Sequence, residues 1–274
     1  MKLRLLASAL VLAPLVARGA SPQVPALPAG AETRWIVQKP EEIVAYVVFD
    51  PATVAGELPR AFRFITLDEL ASNGIAWAGE HIAAHPARGR WAASFLEIVR
   101  ADTFTIDGRS PRWPAHGAVA LWCARVASTA PDSELGPGRP LLVLQFWMPD
   151  PAYADYMRTK GHHATYGEVA LDRAPDGTWR GSITADGLNA TAQCTPAGPV
   201  TGGAGSAGMQ AFFPPASSTV RDVVRVAFAG HRVQDCRADA AWTLAGRHPL
   251  AIAAVLSPSN FEFGYDLVGG AYRQ

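Results

Sequence analysis

The sequence is poor in charge and has no excess of either sign. Lys and Arg together number 24 and Asp and Glu 24, so charged residues make up 18% of 274 residues. That removes the basic footprint that nucleic acid or an anionic membrane surface requires. After the first twenty residues no apolar run is long enough to span a bilayer. There is no Gly-x-Ser-x-Gly elbow, and Gly202-Gly203-Ala204-Gly205 lacks the lysine and the strand-to-helix setting of a phosphate loop. Metal spacing is also incomplete. His162, His163 and Glu168 form one partial set and His81 with His85 another, neither with a recognised three-ligand signature, so no metal and no other cofactor is expected.

What is present is apolar and rich in turns. Hydrophobic residues make up 49% of the chain, enough for a sizeable core and too many for a disordered one. The 25 glycines and 22 prolines favour strands with tight connections over long helices. Residues 1–20 read as a secretory signal peptide: Met1-Lys2-Leu3-Arg4, an apolar run from Leu5 to Val16, then Ala17-Arg18-Gly19-Ala20. Cleavage after Gly19 or Ala20 exports the chain to a periplasm or beyond, with no membrane partner left. A misassigned start codon or a single membrane anchor is the alternative.

Of the three cysteines, Cys123 ends the run Ala118-Val119-Ala120-Leu121-Trp122-Cys123 and reads as a buried strand thiol. Cys194 and Cys236 each follow strand-like runs and are the expected pair in an oxidising compartment. Three unrelated thiols remain the alternative, since spacing does not establish connectivity.

Residues 21–42, with prolines at 22, 25 and 28, read as an arm or linker, and 43–274 as one β-rich domain. Strands are expected at Ile43–Phe49, Ser94–Ile106, Ala118–Ala127, Leu141–Trp147, Thr165–Leu171, Thr178–Ala185, Asn189–Cys194, Val220–Phe228, Ala240–Leu244 and Phe261–Leu267. Asp176-Gly177 and Asp186-Gly187 are hairpin turns. Asp50 and Pro51 open a short helix, Leu67–His85 is a helix bent at Gly74, Pro151–Arg158 is another, and Gly198–Gly208 is a loop. Many short strands at close spacing mean a mainly β fold, a closed or nearly closed antiparallel barrel with a few short helices.

The densest polar stretch runs from Arg158 through Lys160, His162, His163 and Tyr166 to Glu168, between a helix end and a strand start. Lys160 is one of three lysines in the chain. A lysine in an apolar pocket or beside another cation loses its proton and can attack a carbonyl to form an imine. His162, His163, Tyr166 and Glu168 are the candidates for moving protons. The plain alternative for Lys160 is electrostatics, because cations are favoured in a helix's last turn. Trp91, Phe95, Trp122, Phe146, Trp147 and Tyr166 are the aromatic residues available to a pocket.

Three stretches together resemble the acetoacetate decarboxylase superfamily. They are Val44-Ala45-Tyr46-Val47-Val48-Phe49-Asp50-Pro51 through Leu58-Pro59-Arg60-Ala61-Phe62-Arg63, then Ser94-Phe95-Leu96-Glu97-Ile98-Val99, and Lys160-Gly161-His162-His163 through Thr178-Trp179-Arg180-Gly181-Ser182-Ile183. The closing Phe261-Glu262-Phe263-Gly264-Tyr265-Asp266-Leu267 is also similar to the family. The resemblance, over about residues 43–270, implies that family's barrel and matches Glu97 to its pocket glutamate. Glu97 is expected to face inward with Phe95 and Val99 and to hold its proton unless Arg60, Arg63 or Arg100 pairs with it.

These arginines, with Arg158 and Trp122, are the expected substrate-binding groups. The family's Schiff-base lysine follows Gly-x-Pro, whereas this chain reads Tyr166-Gly167-Glu168-Val169-Ala170 there, with neither proline nor lysine. Two functions follow: a lyase acting on a small keto or oxo acid, with an imine at Lys160 as one route, or an exported barrel that binds a small molecule without catalysis. The partner expected in both cases is a small molecule, and self-association is left open.

Overall fold

The computed structural model describes residues 33–60, 62–129, 139–203, 206–216, 223–237, 240–249 and 255–272. The expected signal peptide and the arm up to residue 32 lie outside the described residues. The strands are β1 (Thr33–Gln38), β2 (Glu41–Phe49), β3 (Phe62–Phe64), β4 (Ala92–Arg100), β5 (Thr103–Ile106), β6 (Val119–Ser128), β7 (Arg139–Met148), β8 (Ala164–Arg173) and β9 (Trp179–Ala185). They continue with β10 (Leu188–Cys194), β11 (Pro196–Gly202), β12 (Ala207–Phe213), β13 (Val223–Ala229), β14 (Arg232–Cys236), β15 (Ala241–Gly246), β16 (Val255–Phe263) and β17 (Asp266–Tyr272). The α-helices are α1 (Leu67–Ser72), α2 (Ala76–Ala84) and α3 (Pro151–Thr159), and short 3-10 helices lie at Pro51–Glu57, capped by Asp50, and Pro86–Arg88. No helix among the described residues is long and apolar enough to cross a membrane.

The main sheet runs β11–β14–β16–β2–β4–β6–β7–β12–β13–β17–β1–β5, antiparallel except where β7 meets β12. β7 forks the sheet. Arg139–Leu142 pair in parallel with β12, while Phe146–Met148 pair in parallel with β8. From β8 a second antiparallel layer, β8–β9–β10–β15, folds across one face of the main sheet.

Alternating side chains then fill two cores. One lies between the layers and holds Ile43, Leu96, Trp122, Leu171, Trp179 and Ile183. The other, on the opposite face, holds Trp35 of β1, Val44 of β2, Phe95 and Val99 of β4, Phe104 of β5, Phe146 of β7 and Met157 of α3. Strands from the middle of the ladder, β2 and β4, and from its β1–β5 end meet in that second core, so the sheet curls round it. It does not close, because β5 pairs only with β1 among the described strands.

The described chain departs from the sequence reading where turns hide inside apolar runs. Ser94–Ile106 divides into β4 and β5, and β5 leaves to pair with β1. Phe261–Leu267 is a hairpin, with Gly264 at φ +73° turning β16 into β17. Within the expected arm, residues 33–38 form β1, held between β17 and β5. The loop expected at 198–208 begins in β11 and ends in β12.

Candidate active site

β2, β4 and β6 are buried along most of their length, with mid-strand exceptions at Tyr46, Glu97, Leu121 and Arg125. All four share the face that looks into the second core, because they alternate with Ala45, Leu96, Trp122 and Ala124 of the other core. The ladder sets them side by side: Val44 is opposite Glu97, Glu97 opposite Leu121, Tyr46 opposite Phe95, and Phe95 opposite Cys123. β16 extends the face, with Asn260 opposite Val44 and Glu262 opposite Glu42. These partly exposed side chains, with the buried Val44, Phe95 and Cys123 beside them, outline the candidate cleft.

One end of the cleft is acidic. Glu42 is buried on β2, and its cross-strand partner Glu262 keeps 20% of its side-chain surface exposed. His231, in the turn after β13, brings Nε2 to 2.5 Å from Glu262 Oε2. Burial pushes Glu42 well above the usual carboxylate range, and the charges of Glu97 and Glu262 add to it. Burial also pushes Glu262 up, but the His231 hydrogen bond and charge outweigh it, and Glu262 ends below its ordinary value. Glu42 therefore carries the proton and donates it to Glu262.

Glu97 is pushed up to about 8, by burial first and then by the Glu262 charge. Tyr265, in the β16–β17 turn, is raised by burial and by the same carboxylates. The Cys123 thiol is raised too, by burial and then by Glu97 and Glu42, which makes it an inert wall rather than a nucleophile.

The other end is cationic. Arg125 lies over the Tyr46 ring at 5.6 Å, and Tyr46 stacks on Trp77 of α2 at 5.3 Å. The buried Nε of Arg125 has no hydrogen-bond partner, and no carboxylate pairs with its guanidinium among the described residues. Asn260 Nδ2 donates to the Tyr46 hydroxyl at 3.5 Å between the two ends.

Of the site residues expected from sequence, only Glu97 lies in this cleft. Lys160 caps α3 with Nζ 2.8 Å from Asp107 Oδ2, and that hydrogen bond raises its pKa. This corrects the neutral-amine reading, because the ion pair holds the amine as an ammonium. His162 is buried edge-on between Trp35 and Phe146, and burial lowers it to about 4. His163 faces Glu57 at 4.0 Å. Tyr166 is 51% exposed, and Glu168 is exposed opposite Thr184.

The arginines pair elsewhere. Arg63 binds Glu69, Arg100 binds Glu41 at 2.7 Å, Arg158 binds Asp155 and the Ala164 carbonyl, and Arg60 is exposed. Trp122 points into the core between the layers and donates to Ser94 Oγ at 3.0 Å. The aromatic residues offered for one pocket are divided among three packing groups, with Tyr166 on the surface.

Sequence reasoning did not nominate Glu42, Glu262, His231, Tyr265 or Arg125. Phe261-Glu262-Phe263 carried the usable signal, a carboxylate alternating with aromatics in a strand. Nothing in the sequence marked His231.

Cys194 and Cys236 are joined by a disulfide. A depression of about 320 Å³ on the second layer, lined by Arg180, Gly181, Thr191, Ala192, Gln193 and Ala241, holds none of the acid groups. No three His, Cys, Asp or Glu among the described residues are arranged to hold a metal ion.

No family model and no curated protein matches this sequence. Solved structures do. Acetoacetate decarboxylase from Legionella pneumophila subsp. pneumophila str. Philadelphia 1 is similar at 12% identity and TM-score 0.50, over 93% of this chain and 92% of that one. An acetoacetate decarboxylase-like enzyme from Sphingomonas wittichii RW1 matches at 12% identity and TM-score 0.47, over 88% of this chain and 92% of that one. The enduracididine biosynthesis enzyme MppR, in complex with pyruvate, matches at 13% identity and TM-score 0.49, over 88% and 90%. The forked, incompletely closed β-sheet of this chain is thus an acetoacetate decarboxylase-like fold.

Proposed function

We propose that this protein acts on a small oxo acid held between Arg125 and Glu97, by general acid–base chemistry without an imine. The observation that carries the reading is the group of three inward carboxylates, Glu42 and Glu97 held protonated by burial and Glu262 ionised beside His231. A carboxylic acid kept neutral by its surroundings can donate a hydrogen bond to a carbonyl oxygen as negative charge develops there. Glu97 suits that role. The bond that breaks is the α-C–H bond of a 2-oxo or 3-oxo acid or, in a 3-oxo acid, the bond to the carboxylate, which leaves as carbon dioxide. Its electron pair moves to the carbonyl oxygen, which takes the Glu97 proton, and a departing α-proton passes to the ionised Glu262. Arg125 supports the acid part of the assignment, because an unpaired guanidinium favours a carboxylate ligand.

An imine needs a neutral amine. Of the three lysines, Lys39 is 75% exposed beside Asp102 and Lys160 is paired with Asp107, while Lys2 lies outside the described residues. The same lack of an amine on the cleft wall favours, as a second reading, a barrel that binds oxo acids without turnover. Export stands as part of the proposal, and the Cys194–Cys236 bond supports it because disulfides persist in oxidising compartments.

The test is to incubate short 2-oxo and 3-oxo acids with the protein in deuterated water and follow α-deuteration and loss of carboxylate by proton NMR. Wild type and Lys160→Ala are expected to react alike, and Glu97→Gln to be slower by about 10²-fold or more. Loss of reaction in Lys160→Ala, with borohydride trapping at that lysine in wild type, overturns the proposal.

A further inference from the structure

We propose that His231 is the proton port of the buried acids, exchanging protons with solvent and passing them through Glu262 to Glu42. The inference rests on the acid–base reading of the cleft, but its test needs no turnover. Glu42 is almost fully buried, so its proton needs a path to water. The path that the side chains provide is short. The His231 ring keeps 29% of its surface exposed and reaches Glu262 at 2.5 Å, and Glu262 is hydrogen-bonded to Glu42.

The histidine is also held for this task. Its carbonyl accepts the Gly203 N–H at 2.9 Å and the Ser206 hydroxyl at 2.7 Å. Its ring sits edge-on to Phe228 at 5.5 Å and to Tyr265 at 5.3 Å. Gly230, at φ +76°, turns the chain so that the ring comes back onto β16.

The groups facing His231 are few. Glu262 comes from β16, Tyr265 from the β16–β17 turn, and Glu42 of β2 and Glu97 of β4 stand behind Glu262. Phe228 of β13 is apolar, and the adjacent Arg232 turns away to lie over Phe263 at 4.6 Å. The transfer balances. A water or buffer acid protonates Nδ1, Nε2 releases its proton to Glu262, and Glu262 becomes a carboxylate again when the proton reaches Glu42. One proton moves inward, and no bond between heavy atoms changes.

The experiment is a rapid pH jump on the full chain without substrate, following the infrared band of protonated buried carboxyl groups. Wild type is expected to load its acids at least about tenfold faster than His231→Gln, which keeps an N–H donor to Glu262 but does not relay protons. His231→Ala is expected to be as slow and to recover with added imidazole. Glu262→Gln, with His231 intact, is expected to be slow too.

Wild-type loading rates in His231→Gln, or a slow His231→Ala that imidazole does not restore, overturn the port. If the alanine variant does not fold, the two glutamine variants decide. If loading depends on His231 but no oxo acid reacts with wild type, the port stands and the functional reading falls.

Discussion

A carboxyl group surrounded by apolar walls releases its proton reluctantly, and on this chain that reluctance has a measurable sign. Unfolded, Glu97 titrates near its ordinary 4.5; folded, it titrates at about 8. Between those values the folded chain binds more protons, so Glu97 lowers stability as pH rises, by at most about 1.4 kcal/mol per unit, and the loss levels off above 8. His162 and His248 oppose it lower down. Burial holds each at about 4 against an ordinary 6.5, so their contribution rises with pH from 4 to 6.5 and then stops. The range from 6.5 to 8 therefore isolates the carboxyl group from these two. Denaturant titrations of Glu97→Gln are expected to show a shallower fall in stability across that range and a more stable protein at pH 8. An unchanged slope contradicts the burial.

Arg125 calls for a different readout. Arg125→Gln removes a charge that meets substrate before and during reaction alike, so KM for an oxo acid is expected to rise about 10- to 100-fold with kcat little changed. Equal KM values for wild type and variant would take the guanidinium out of the site.

Strand register carries these residues to one place, and two features of the elements can be probed. Gly269 of β17 sits between β1 and β13, where an added Cβ would lie 2.9 Å from Val226 Cγ2 and 3.4 Å from Trp35 Cβ. Gly269→Ala is expected to cost about 1–3 kcal/mol, because neither neighbouring strand can move aside freely. The disulfide joins the end of β10 in the second layer to the end of β14, the strand that follows His231. Replacing both cysteines by serine is expected to cost about 2–5 kcal/mol in chemical denaturation. A reductant should lower wild type by a similar amount and leave the variant unmoved.

The same elements show what the sequence could reveal. Alternation with aromatics made Glu97 readable as inward-facing, and Gly74, Gly177 and Gly187 marked their turns. Glu42 was hidden because it pairs with Glu262, some two hundred residues away, and register between distant strands leaves no local trace. His231 sits in a turn, positioned by bonds from Gly203 and Ser206 on another loop. Lys160 drew attention by its crowded sequence neighbours, but Asp107, distant in sequence, decides its charge.

At the scale of the whole molecule, the fold is shared with solved structures, and the chemistry has to be read from this chain's own side chains. Fold does not fix chemistry, which resides in the side chains a fold brings together. Here the curled sheet is kept and the cleft is furnished with acids, a histidine and an arginine. The central claim is that Glu97 stands protonated in that cleft at neutral pH. Carbon-13 NMR of the folded chain, labelled at glutamate carboxyls and assigned with Glu97→Gln, measures this directly. The expected result is a Glu97 midpoint near 8 that moves when a short oxo acid is added, with Glu262 titrating below its ordinary value. A Glu97 midpoint between about 4 and 5, indifferent to every oxo acid, contradicts it.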